Sequence, residues 1–376
     1  MPADTMELRH AGLSCRLAAS LAPAERDAFT AFALASPAVT HHQLPVWPEV
    51  APALRRHRYR FLTCRRDGDP VMTAVLRFTR ILPGRFLVSA TRGPVVHDPD
   101  CLEDGLPALV EIARAAGAIS LVVNPRWSGE AAAGVRDILV RQGFSRLPDG
   151  EQRMHSATGL IDLTPEPDEI FASFKQRGRR SIRKGEAAGV SLRRLTRADD
   201  LGPYEAFWRT FAQRKGFDTS GIPALPMQVE LCDRLGGVPL ALEHEGEPIG
   251  LLTSVRHGER GYFLAAATAD CKPEIPKLYV LLWHTLLIMR AQGCRSYDLA
   301  GMPETEPRDA EERNRMQFKQ AFNPLQVSVG ARHVRILRPV QHALCADLLG
   351  WLRRWRGSAR ELATGLPGIR RLGHAR

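Results

Sequence analysis

One short segment of this chain is densely basic. The string KQRGRRSIRK contains six cationic side chains and no acid. On a helix, Lys175, Arg179 and Arg183 recur every four residues and share one face, and Arg180 and Lys184 lie in the neighbouring row. Such rows suit nucleic-acid phosphates, because Lys and Arg that neutralise phosphates release bound counterions. The pattern favours a phosphate-binding surface, with a solvated helix face as the alternative.

Other side chains have types that suit a transfer reaction. Asp298, in the string YDLAG, suits a general base for an ammonium group, or it holds the turn that ends a strand. Arg214 lies at the end of a predicted helix and suits either a phosphate contact or a helix C-terminal cap. The sequence leaves these alternatives open. His41, His42 and His284 have no partners at metal-ligand spacing, so no metal site is predicted.

The seven cysteines are scattered along the chain, without a Cys-x-x-Cys pair or a Cys/His spacing suited to zinc. Because their number is odd, we expect free thiols in a reducing cytoplasm rather than a disulfide framework. No leader with an apolar core is recognised, and no apolar run reaches the roughly 18 residues that span a bilayer. The sequence therefore predicts a cytoplasmic protein.

Length and charge narrow the class of protein. The 376 residues suffice for about two domains, and a hydrophobic content of 44% argues against wholesale disorder. Lys and Arg number 52 against 41 acids, which gives a net charge of +11. This excess indicates a polyanionic partner, or it reflects an Arg-rich proteome in which many proteins are basic.

An internal repeat organises the chain into two α/β units. The strings FLTCRRDGDPVMTAVLRF and LALEHEGEPIGLLTSV each predict two strands joined by a tight turn, Asp67-Gly68 in one and Glu245-Gly246 in the other. In both units a further strand, a helix and a closing strand follow in the same order. The turn glycine and the glycine after the helix are 49 residues apart in one unit and 47 in the other. Equal order and near-equal spacing indicate two copies of one fold.

Three regions follow from this repeat. The sequence predicts a first domain over 1–157, a second domain over 158–340 and a basic amphipathic tail over 341–376. The tail combines leucines and tryptophans with arginines, a composition that suits a membrane surface or an RNA backbone. The alternative is a helix that packs on the second domain with its arginines in water.

Several of these strings, in this order, resemble the FemABX family of aminoacyltransferases. The resemblance rests on KQRGRRSIRKGEAAGV, QRKGF, Pro276 before a long helix, YDLAG, QFKQAF, and TRGPVV in the first unit, and it extends over about 20–340. It implies an α/β fold of two tandem GNAT-like domains, each a mixed sheet flanked by helices. The coiled-coil arm of some family members has no counterpart here.

The resemblance also implies an activity. Family members transfer an amino acid from aminoacyl-tRNA to an amine, usually on a peptidoglycan precursor, and need no cofactor beyond that co-substrate. The lysine of the Phe-Lys pair corresponds to Lys319, which would stabilise the developing oxyanion, with Phe318 packed beside the reacting ends. The basic row and Arg214 would then contact tRNA phosphates.

The positions that bind the acceptor differ from the family pattern. Members that use a soluble UDP-linked muropeptide have a Lys, an Arg and a Tyr where this chain has Ala51, Ser220 and Leu264. The difference predicts another acceptor, either a lipid-linked precursor or a small amine. A lipid-linked acceptor would bring the protein to the inner membrane surface.

Two other function classes remain open. A CoA-dependent GNAT acyltransferase acting on a polysaccharide or metabolite needs backbone N–H groups at a strand-to-helix turn for the pyrophosphate. Its usual Arg/Gln-x-x-Gly-x-Gly/Ala signature is incomplete in the strings that begin at Arg114 and Arg290. A non-catalytic RNA or membrane binder would explain the charge, but not the YDLAG and QFK strings.

Overall fold

The structure is a computed structural model that describes residues 4–50, 57–152, 155–216, 224–302 and 309–344. Its elements are named here in chain order. The first half contains β1 Thr5–His10, β2 Leu13–Ala18, α1 Pro23–Ala35, α2 Val46–Val50, β3 Arg58–Arg66, β4 Asp69–Leu82, β5 Arg85–Ala90, α3 Cys101–Ala115, β6 Ala118–Val123, α4 Glu130–Arg141 and β7 Ser145–Arg146. The second half contains β8 Ala157–Asp162, α5 Pro167–Ser173, α6 Gln176–Glu186, β9 Val190–Arg194, α7 Gly202–Arg214, α8 Leu225–Arg234, β10 Val238–His244, β11 Glu247–His257, β12 Arg260–Thr268, α9 Lys277–Ala291, β13 Ser296–Met302, α10 Ala310–Gln320, β14 Leu325–Ser328 and β15 His333–Ile336.

These strands form two mixed sheets. One has the order β1-β2-β3-β4-β5-β6-β15-β7 and the other the order β14-β8-β13-β12-β11-β10-β9. In each sheet a hairpin and a third strand are antiparallel, and a helix then leads to a parallel neighbour: β5 to β6 through α3, and β12 to β13 through α9. The predicted fold class, two α/β units with mixed sheets flanked by helices, is confirmed.

The two predicted hairpin turns have the same backbone conformation. Asp67 and Gly68 have φ of 52° and 95°, and Glu245 and Gly246 have φ of 55° and 82°. Two successive residues with positive φ match the right-handed twist of the flanking strands, and glycine adopts this conformation without steric cost. Each acidic-Gly pair therefore sets the register of its hairpin.

The two sheets differ where their parallel strands run side by side. In the first half, β5 pairs with β6 along its length, from Phe86 to Ala90. In the second half, β12 pairs with β13 only as far as Tyr262 and Asp298, after which β12 pairs with β11 alone and β13 continues against β8. The strands part at Asp298, so the second half alone has an opening between its parallel strands within the described residues.

An apolar seam joins the halves. It contains Trp47 and Val95 from the first half and Leu231 and Val255 from the second. His41, which the sequence left without a role, lies in this seam, and its backbone N–H donates to His257 Nε2 at 2.9 Å. Burial lowers the pKa of His41 to about 3, so its ring is neutral at pH 7. The seam therefore holds the halves together without a buried imidazolium.

The last described strand returns to the first sheet. His333 and Val334 of β15 pair with β7, and all of β15 pairs with β6. The sequence assigned this stretch to the second domain by its position in the chain. The domain limits at 157/158 and 340 stay predictions, as do the helix and contacts of the tail, because the tail from residue 345 on lies outside the described residues.

Two cysteines correct the expectation of free thiols. Cys15 and Cys64 lie opposite each other in the antiparallel β2–β3 pair, with Cα atoms 4.1 Å apart, and form a disulfide. Both are fully buried in the core of the first half. The pairing depends on strand register, which the sequence does not show. Cys101, Cys232, Cys271 and Cys294 are free.

Within the described ranges, no helix combines the length and apolarity required to cross a bilayer.

Candidate active site between the two halves

Asp298 lies where β12 and β13 part, and its carboxylate is fully buried. It accepts hydrogen bonds from Arg126 of the first half and from the Thr158 hydroxyl, and the Ala300 N–H donates to it at 2.8 Å. Three hydrogen-bond donors therefore engage this buried carboxylate. The geometry favours the structural role that the sequence left open for Asp298 beside that of a general base, although Asp298 holds a bulge within β13 rather than a turn at the end of the strand.

The bulge in β13 after Asp298 directs a carbonyl group toward α10. Ala300 has a φ of 59°, a conformation that costs energy for a residue with a Cβ, and the Asp298 side chain holds it there. The next carbonyl, that of Gly301, accepts a hydrogen bond from Lys319 Nζ at 2.5 Å. The Arg126–Asp298 pair thereby helps to set the position of Lys319.

Lys319 occupies a partly buried position near the end of α10. Burial lowers the pKa of its ammonium group to about 8; Asp298 opposes this shift and Arg315 adds to it. At pH 7 the group is therefore mostly protonated but close to its titration. A cation in a partly desolvated position stabilises a developing oxyanion more strongly than one in bulk water.

Phe318, its neighbour, packs against aromatic side chains of the second half. Its ring lies edge-on to Tyr279 of α9, with centroids 5.0 Å apart, and 5.4 Å from the ring of Phe322. These contacts fix the end of α10 on the second half. Whether Phe318 also contacts the reacting groups, as the resemblance implies, stays a prediction.

The basic segment forms α6 and lies directly beside α10. The Lys175 N–H donates to the Ala321 carbonyl oxygen at 3.1 Å, and Arg177 donates to the Gln317 side chain at 3.3 Å. Gly178 is buried against Ala321, where a Cβ would come within 2.5 Å of the carbonyl oxygen. The basic helix is thus held next to Lys319 by close backbone packing.

Apart from Arg177, the cations of α6 and its N-cap residue Lys175 divide into two groups. Arg179 donates to the carbonyl groups of Ala172 and Phe174, and Arg183 lies over the Phe171 ring at 5.2 Å. Both are thereby engaged with α5. Lys175, Arg180 and Lys184 are exposed and make no ion pair with any described residue. These three side chains are available to solvent or to a polyanion.

Arg214 lies farther along the second half. Its guanidinium donates to the Thr268 carbonyl at 2.7 Å, pairs with Asp270 at 2.9 Å and lies over Phe211 at 5.4 Å. It therefore ties the end of α7 to the end of β12. None of these contacts involves a cation of α6.

Three residues at this site were missed by the sequence reasoning. Arg126 pairs with Asp298, Arg92 donates to the His155 carbonyl at 2.8 Å, and the His155 ring lies against Gly301. Arg92 belongs to the TRGPVV string, so a signal existed for that residue. Arg126 and His155 contact residues more than 140 positions away, and nothing in their local sequence marks them.

Comparisons with known proteins agree with this architecture. Residues 172–319, which include α6, Asp298 and Lys319, match the family model of an acetyltransferase (GNAT) domain. The crystal structure of FemX superposes with a TM-score of 0.74 at 17% identity, covering 85% of this chain and 98% of that one. The fold is that of a tandem GNAT protein.

Other solved structures resemble the chain less strongly. A tandem GNAT protein from the clavulanic acid biosynthesis pathway gives a TM-score of 0.55 at 13% identity, covering 86% of this chain and 98% of that one. L-PGS from Bacillus licheniformis gives 0.51 at 13% identity, covering 88% and 97%. A comparison with curated protein sequences gave no match. The chain thus has a GNAT-type acyltransferase fold.

In this chain, a strand-to-helix turn connects β12 to α9. Its glycine-free sequence, ADCKPEIP, includes two prolines that lack an N–H group. The Lys277 N–H donates to Ile275 O at 2.9 Å, and the Tyr279 N–H donates to Pro276 O at 3.0 Å. These groups are engaged within the chain, so this turn offers few N–H donors for a pyrophosphate.

Proposed function

We propose that this protein is an aminoacyl-tRNA-dependent aminoacyltransferase that joins an amino acid to an amine acceptor. The observation on which the proposal rests is the position of Lys319. Its ammonium group lies partly buried at the parting of β12 and β13, beside a helix with free cations. A site of this kind combines an oxyanion-stabilising charge with a surface for phosphates.

The chemistry requires little else of the protein. An aminoacyl ester is already activated, so an amine attacks it without a covalent enzyme intermediate. Positioning of amine and ester supplies much of the rate increase, and Lys319 stabilises the negative charge that forms on the carbonyl oxygen. We expect no cofactor other than the aminoacyl-tRNA.

The acceptor is proposed to be a lipid-linked precursor or a small amine. Of the three positions that depart from the family pattern, Ala51 and Ser220 lie outside the described residues. Leu264 packs at the edge of the apolar seam near Tyr262, where it offers no hydrogen bond to a polar acceptor. A cytoplasmic location, with the tail at the inner membrane surface, suits the lipid-linked acceptor.

The second candidate is CoA-dependent acyl transfer, which the match to an acetyltransferase domain favours. The engaged N–H groups of Lys277 and Tyr279 oppose it. One experiment separates the two candidates. Labelled total aminoacyl-tRNA is incubated with the protein and a host-like extract, and melting is measured in parallel with acetyl-CoA.

We expect label in a lipid or small-molecule fraction and no change in melting temperature with acetyl-CoA. Uncharged tRNA and free amino acids serve as negative controls for transfer. Absence of transfer, with a melting temperature raised by acetyl-CoA, would establish the CoA reaction instead, because a ligand that binds only the native state stabilises it.

A second prediction concerns the exposed cations of α6. The double variant Arg180→Gln/Lys184→Gln is expected to weaken tRNA binding and to reduce the slope of log K against log salt by about 2, roughly one per lost phosphate contact. The measurement is a salt titration of tRNA affinity. Arg209→Gln, an exposed arginine of α7 paired with Glu205, is the control and should leave the slope unchanged. Equal slopes in the wild type and the double variant would show that α6 is a solvated face.

A further inference from the structure

The His155 imidazole lies at the centre of the candidate site. Its ring covers Gly301 so closely that a Cβ at position 301 would overlap it. The Gly301 carbonyl is the group that holds Lys319 Nζ. His155 is exposed overall, and neither ring nitrogen has a hydrogen-bond partner among the described residues. The imidazole is therefore beside Lys319 and open to a substrate.

The backbone of His155 is fixed from the first half. Arg92, a residue that is 5% exposed, donates from its guanidinium to the His155 carbonyl at 2.8 Å. The backbone N–H of Arg92 in turn donates to the Asn124 side chain at 2.7 Å. Since Gly301 supports the ring and Arg92 the main chain, the imidazole is held from both halves.

The charges around the ring favour its neutral form. Partial desolvation lowers the pKa of His155, and the cations of Lys319 and Arg92 lower it further. From α10, Glu312 raises this pKa and Arg315 lowers it. The net direction is downward, so at pH 7 the imidazole is mostly unprotonated and able to accept a proton.

Aminoacyl transfer needs such an acceptor. An attacking amine loses a proton as its bond to the ester carbon forms, and that proton must reach the departing ribose oxygen. Asp298 is occupied by three donors, and Lys319 is mostly protonated at pH 7. In that form Lys319 has no lone pair to accept the proton, and the Asp298 oxygens are already engaged in hydrogen bonds.

We propose that His155 is the general base of the transfer reaction and passes the proton to the leaving ribose hydroxyl. The inference rests on the proposed function. The neutral amine attacks, the C–N bond forms, and the carbonyl oxygen becomes an anion next to Lys319. The nitrogen releases its proton to the imidazole. The C–O bond to ribose then breaks, and the imidazolium returns the proton to the ribose oxygen, so an amide and a free hydroxyl result.

The test is the pH dependence of kcat for wild type and His155→Gln with labelled aminoacyl-tRNA. For wild type, activity should fall as the pH decreases through a midpoint below 6.5, where the imidazole becomes protonated. The glutamine variant should lose about 10²–10⁴-fold in kcat and also lose this acidic limb. Its affinity for tRNA and its melting temperature should match the wild type, because His155 is exposed.

Two further variants sharpen the result. Gly301→Ala, which displaces the ring while keeping the imidazole, should lower kcat in the same direction. His10→Gln is the control, because His10, at the end of β1, pairs with Glu111 of α3 and lies outside the candidate site. A His155→Gln enzyme with wild-type rate and an intact acidic limb would overturn this inference alone. Absence of transfer by wild type from any aminoacyl-tRNA would overturn the proposed function, and this inference with it.

Discussion

Lys319→Ala is expected to lower kcat for aminoacyl transfer by about 10²–10³-fold, the effect of removing one donor to an oxyanion. The ammonium group lies at the Gly301 carbonyl in a partly desolvated position, so water replaces it poorly. The measurement is single-turnover transfer from aminoacyl-tRNA. Lys272→Ala, an exposed lysine near Glu245, is the matched control and should retain full activity.

The charge of Lys319 also gives the reaction an alkaline limit. Because burial lowers its pKa to about 8, the ammonium form is present below that pH and is lost as the pH rises through it. Wild-type activity should therefore decline above pH 8. Lys319→Arg, which stays charged, should be slower but should not show this decline. Full activity in Lys319→Ala would contradict both the role of the residue and the proposed function.

Arg126→Met is expected to reduce the free energy of unfolding by about 3–5 kcal/mol. The Arg126 and Asp298 side chains are 4% and 0% exposed, so the variant leaves a fully buried carboxylate without its cation. Thr158 and the Ala300 N–H still donate to it, but neither carries a charge. Chemical denaturation at pH 7 measures the loss.

The double variant Arg126→Met/Asp298→Asn tests the cause. Removing both charges should restore much of the lost stability, because the penalty comes from the unpaired carboxylate rather than from the missing pair. Arg209→Met, which breaks the exposed pair with Glu205, should change stability by less than about 1 kcal/mol. If Arg126→Met were as stable as Arg209→Met, the buried pair would not be the link between the halves that the structure indicates.

The features that could be predicted from the sequence are those that depend on local patterns of residues. The turns at Asp67-Gly68 and Glu245-Gly246 were predictable because their conformation depends on two adjacent residues. The repeated order of strands and helices then gave the fold class. The helical position of the basic segment was predictable as well, but which of its cations are free depends on packing against α5, which periodicity does not show.

Contacts between residues that are far apart in the chain could not be predicted from the sequence. Arg126 and Asp298 are 172 positions apart, and their pairing follows from how two separately predictable units pack together. The same holds for the Cys15–Cys64 bond, which depends on which strand lies beside β2. Lys319 was identified only because the string QFKQAF resembles a family motif. Its burial comes from the tertiary fold, which local sequence does not show.

The return of β15 to the first sheet has a consequence for biosynthesis. β15 lies between β6 and β7, so the first sheet is incomplete until residue 336 has left the ribosome. While the second half is being translated, β6 presents an open hydrogen-bonding edge, a known site of unwanted pairing with other chains. The first sheet and the second half must therefore finish folding together, although each half resembles a separate unit in sequence.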